Sequence, residues 1–82
     1  MNQGAHDTLN DTLSRVDTSR SAVASAMGRM KAEVAACDHY TAKADAAANN
    51  REFKQLDRLA NAHHMIVNAM AELVLATDAL AA

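Results

Sequence analysis

One periodicity constrains this chain more than any other feature. From Leu9 to Ala48, the positions Leu9, Leu13, Val16, Arg20, Val23, Met27, Met30, Val34, Cys37, Thr41, Ala44 and Ala48 recur at alternating spacings of four and three. All but Arg20 and Thr41 are apolar. A helix places such positions on one stripe, so the pattern predicts a long helix with a coiled-coil-type seam. The chain has no proline and only two glycines, so little in it interrupts helix. The fold class expected is all-α.

The predicted first helix runs from about residue 8 to 48, capped at its start by Asp7 or Thr8. One soft spot lies at Asp17-Thr18-Ser19-Arg20-Ser21, where poor helix formers surround a charged seam position. Because the phase of the repeat survives that gap, one continuous helix is expected. Asn49-Asn50 reads as the turn, since asparagine ends helices well. A second helix is predicted over about 51–80, with a seam at Leu56, Leu59, His63, Ile66, Met70, Leu73, Thr77 and Leu80. A flanking row of Phe53, Ala60, Val67, Val74 and Ala81 widens that face beyond a two-stranded seam.

The two seams agree in register when the chain folds back at Asn49-Asn50. Cys37 then meets His63, Val34 meets Ile66, Met30 meets Met70 and Met27 meets Leu73. The expected domain is therefore an antiparallel two-helix hairpin of the coiled-coil type, spanning residues 1–82. Alanine supplies about half of its apolar residues, which leaves a thin core for 82 residues. A second copy or a partner would complete such a hairpin to a helical bundle.

That register leaves Leu9, Leu13 and Val16 beyond the end of the second helix, on an overhang of about ten residues or ~15 Å. Their i, i+4, i+7 spacing suits a helix-in-groove contact, which makes them candidate partner-binding residues. The back of the first helix adds a smooth row that includes Ser21, Ser25, Gly28 and Ala32, where another helix can approach closely. Met65 and Leu75 are expected to point outward on the second helix and to mark a further contact patch.

Little in the chain points to chemistry. Zinc needs three or four ligands converging at about 2.0–2.3 Å, and the expected register sends His39 and His64 away from Cys37 and His63. Cys37 and His63 read as seam residues, and no metal or cofactor is expected; a pH-sensing role for His63 is a minor alternative. No carboxylate pair, activated nucleophile or glycine-rich phosphate loop accompanies the helices, so catalysis is not expected. A net charge of −2 with scattered basic residues gives no nucleic-acid footprint. The first residues lack the build of a signal peptide, and no contiguous apolar run approaches the ~20 residues that cross a bilayer. A cytoplasmic protein without membrane or nucleic-acid partners is the expectation.

The stretch Glu52-Phe53-Lys54-Gln55-Leu56-Asp57-Arg58-Leu59-Ala60, followed by Val67 to Leu73, resembles the small co-chaperones of type III secretion needle subunits. That resemblance covers residues ~20–75. It implies a cytoplasmic helical hairpin that keeps a needle subunit unpolymerised. Needle subunits themselves carry a proline-containing turn, which Asn49-Asn50 is not. The function expected is a non-enzymatic protein–protein interaction module with a helical protein partner, in a homo- or hetero-oligomer. Its alternatives are a phage- or plasmid-encoded inhibitor or regulator that binds a target protein and, further off, an RNA-binding dimeric hairpin with a basic stripe.

Overall fold

The computed structural model describes residues 2–81, and within them the chain forms three helices, α1 (Gln3–Arg15), α2 (Ser21–Asp45) and α3 (Asn50–Ala81). The all-α class holds, but the continuous first helix does not. It breaks at the soft spot: Val16 is extended at φ −123°, ψ 157°, and Arg20 is extended at φ −79°, ψ 128°. Asp17 holds the break. Its carboxylate accepts the Ser19 amide at 3.0 Å and the Ser19 hydroxyl at 2.6 Å, while its own amide donates to Asp78 on α3 at 3.0 Å. Those Ser19 bonds, backed by the charge of Arg20, hold the exposed Asp17 carboxyl below its ordinary range. A short polar side chain that bonds its own backbone competes with helix, and here it wins.

The chain reverses at that break, so α1 runs antiparallel to α2 and parallel to α3. Asn2 and His6 meet Asp38 of α2, Thr8 reaches Asn68 of α3, and Asp17 reaches Asp78. Leu9, Leu13 and Val16 are half-buried and pack against the core, together with the fully buried Ala5. The overhang expected from a continuous helix is therefore absent. Its apolar anchors had no cover in a two-helix hairpin, and the fold supplies that cover by turning the arm back.

Caps differ from expectation in the same economical way. α1 starts earlier than residue 8 because Asn2 caps it, accepting the Ala5 amide at 3.1 Å. At the second connection, Asn49 accepts the Glu52 amide at 2.8 Å and Glu52 reaches back to the Ala48 amide at 3.3 Å. That is a reciprocal cap of α3. No described residue adopts positive φ, so Asn49 works through its side chain and not through left-handed backbone.

α2 and α3 form the long hairpin, and the molecule measures 50 × 16 × 15 Å. α3 alone, at 32 residues, spans about 48 Å. The 13 residues of α1 reach only about 20 Å, so one half of the rod is three helices thick and the other half two. Val23, Met27, Met30, Val34 and Cys37 of α2 pack with Val67 and Val74 of α3 in the three-helix half. His63 sits between Glu33 and Tyr40, which lie about one turn to either side of Cys37. That is the level at which the seam pairing places it.

Candidate functional site

The register along the axis is as expected, but α3 is rotated about its own axis. The buried row is Ala60, Val67 and Val74, the one read from sequence as flanking. Leu59, Ile66, Leu73 and Leu80, read as seam, are 43%, 42%, 48% and 88% exposed. α1 explains the rotation. It docks on the side of α3 carrying His64, Asn68 and Asp78, so α3 must divide its inward face between α1 and α2. The bisector of those two directions falls on Val67 and Val74, one residue or about 100° around from the expected seam.

The displaced row now lies on the side of α3 away from α1. Between its large members stand Ala62, Ala69 and Ala76, all exposed. Together they read Leu59, Ala62, Ile66, Ala69, Leu73, Ala76 and Leu80, an unbroken 3-4 repeat with no charge in it. This is the pattern of a second coiled-coil seam, left open to solvent. Met65 borders it and is 72% exposed. Arg58 and Glu72 flank the row on the same side as Met65, seven residues before and after it.

This row also corrects the expectation about membrane length. α3 contains an 18-residue window of mean hydropathy 1.3, long and apolar enough to cross a membrane by length and composition, and only 17% of that window is buried. Counting contiguous apolar residues misses it, because His64, Asn68, Glu72 and Asp78 interrupt the run without lowering its average enough.

The residues expected to bind a partner fare differently. Leu9, Leu13 and Val16 are taken up by intrachain packing. Ser21, Ser25, Gly28 and Ala32 form an exposed strip on the outside of α2, with open space around Gly28. Leu75 is half-buried, on the α1 side of α3, while Met65 is exposed beside the open row. Leu59, Ile66, Leu73 and Leu80 were legible as apolar anchors but assigned to the wrong neighbour. The unusual breadth of the α3 face was the available signal.

No family model, curated protein or solved structure matches the chain. Its own geometry is what remains. Among the described residues, no three His, Cys, Asp or Glu side chains converge as a metal site would require. His63 Nδ1 lies 2.6 Å from Glu33 and its ring stacks on Tyr40 at 5.4 Å, so it is committed to joining α2 to α3. Cys37 is fully buried and unpaired. Burial, with the charges of Asp38 and Glu33 added, pushes its thiol up and keeps it protonated and unreactive. Arg51, Lys54 and Arg58 share a shallow recess with Asn50 and Gln55 on the first turns of α3. All of its walls come from a single helix.

Proposed function

We propose that the chain is a non-enzymatic interaction module that presents the outer row of α3 to another helix. One observation carries this reading: Leu59, Ile66, Leu73 and Leu80 stand exposed at seven-residue intervals with exposed alanines between them. Fully burying a large aliphatic side chain is worth about 1.5–3 kcal/mol. Leu59, Ile66 and Leu73 have about half of that still to gain and Leu80 nearly all of it, so the row favours association. Alanine at the intervening positions lets a partner backbone come close. The partner expected is a helical protein, with the module working in the cytoplasm. A co-chaperone that shields a secretion-system subunit is one form of this reading, supported by the resemblance over residues 52–60 and 67–73. Inhibition of a target protein is the other form.

Placing a photo-activated cross-linking amino acid at Met65 tests the reading in the native host. A discrete protein adduct is expected from position 65 and none from Ser25, on the outside of α2. Equal labelling from both positions, or none from 65, would move the contact away from α3.

A further inference from the structure

We infer that the outer row of α3 pairs antiparallel with the same row of a second copy of this chain, resting on the interaction-module reading above. The row is complementary to itself in size and in charge. Take a two-fold axis beside Met65. Leu59 then faces Ala69 of the second copy, and Ile66 faces its Ala62. These layers each hold one large and one small side chain, which is how facing positions interdigitate without voids. Leu73 falls against the second copy's Gln55.

Charge favours this register, whereas burial of Leu73 favours the next one. Around that axis Arg58 comes level with Glu72 of the second copy, and Met65 comes level with its own counterpart. Two-fold symmetry makes the Arg58–Glu72 pairing occur twice. Sliding the copies by one heptad buries Leu73 against Ala62 in addition to Leu59 and Ile66, but it loses both charge pairings, setting Arg58 against Ala79 and Glu72 against Met65. Single charge variants that leave the dimer unchanged would assign it to this second register of the same antiparallel pairing. Sliding by two heptads sets Glu72 against Glu72. A parallel pairing stacks Leu on Leu and Ala on Ala, leaving alternate layers under-filled. α1 and α2 stand clear of this contact, because α1 occupies the opposite flank of α3 and α2 packs on the Val67 row.

Sedimentation equilibrium on the full chain, from about 1 to 200 μM, tests the inference, with circular dichroism to show that each variant is folded. A reversible dimer is expected. Arg58→Glu and Glu72→Arg each place like charges together twice and should weaken it roughly tenfold. The double variant Arg58→Glu, Glu72→Arg should recover to within about threefold of the parent. Ile66→Glu should leave a folded monomer. A parent chain that stays monomeric at 200 μM overturns the inference, as does a dimer indifferent to Ile66→Glu or a double variant weaker than both singles. A monomer that cross-links a different protein from position 65 overturns the second-copy inference while leaving the interaction module standing. A monomer that instead partitions onto phosphatidylcholine vesicles, and loses this with Ile66→Glu, overturns both and assigns the row to a lipid surface.

Discussion

His6 Nε2 and Asp38 Oδ2 lie 2.6 Å apart, and the other oxygen of Asp38 accepts the Asn2 amide at 2.7 Å. One carboxylate on α2 thus holds the first turn of α1 in place. Burial pushes the Asp38 carboxyl up, but the Asn2 amide and the His6 ring together outweigh it and hold the group below its ordinary value. A carboxyl depressed in the folded state gives stability that is full above its unfolded value, near ~3.9, and is lost as pH falls through the lower folded value. α1 should therefore loosen below about pH 4. Amide hydrogen exchange across Gln3–Arg15 between pH 6 and pH 2.5 reads this directly, once corrected for intrinsic rates. Asp38→Asn should remove most of that acid dependence; an unchanged profile in the variant would assign it to another carboxylate.

Val67 and Ile66 are neighbours in sequence with opposite exposure, the first fully buried and the second 42% exposed. Val67→Ala opens a cavity between α2 and α3 and should cost about 2 kcal/mol. Ile66→Ala removes a side chain already half in water, and in the monomer it should cost less than about 1 kcal/mol. Urea titrations below 1 μM, where association is suppressed, compare the two. Equal losses would mean that α3 has the rotation expected from sequence and not the one observed.

Most of the axial arrangement was legible in the residues. The α2 seam from Val23 to Ala44, the second connection near Asn49 and the level of His63 beside Cys37 all follow from 3-4 spacing. Two things were not legible, and they are one fact. Periodicity carries straight through Asp17–Arg20 because Leu9, Leu13 and Val16 remain in phase, yet phase says nothing about whether the backbone stays helical between them. Asp17 bonding Ser19 breaks it, α1 folds back, and its docking turns α3 by about one residue. The 3-4 spacing of Leu59, Ile66, Leu73 and Leu80 therefore marks an apolar row without saying which neighbour covers it.

Removing residues 1–16 tests whether α1 belongs to the fold. The cut takes away the cover provided by Ala5, Leu9, Leu13 and Val16 over the α2–α3 core. Partial burial of four apolar groups is worth on the order of 3–5 kcal/mol, comparable with the whole stability of a domain this size. The truncated chain should lose its cooperative urea transition and bind a hydrophobic dye. Retention of a transition at the parent's midpoint would show α1 to be dispensable.

The two glycines make the sharpest contrast, because one substitution should have opposite signs at them. A methyl added at Gly28, on the outside of α2, meets nothing within 4 Å. Glycine inside a helix costs roughly 0.5–1 kcal/mol relative to alanine, so Gly28→Ala should stabilise the protein by about that much. If the outside of α2 were a close helix contact, the same methyl would weaken association, so unchanged dimerisation in Gly28→Ala keeps the interface on α3. At Gly4 the added methyl would stand 2.8 Å from Cε1 of His64, closer than real contacts permit. The imidazole, the far end of a half-buried side chain, must then swing aside, which costs less than overpacking a closed core, about 1 kcal/mol. That slightly exceeds the helix-propensity gain at a first-turn position, so Gly4→Ala should destabilise by a few tenths of a kcal/mol. In a His64→Ala background the obstruction is gone and Gly4→Ala should turn stabilising by a few tenths of a kcal/mol. A double-mutant cycle by urea titration measures the reversal. The same sign in both backgrounds would place His64 away from Gly4 and undo the docking of α1 described above.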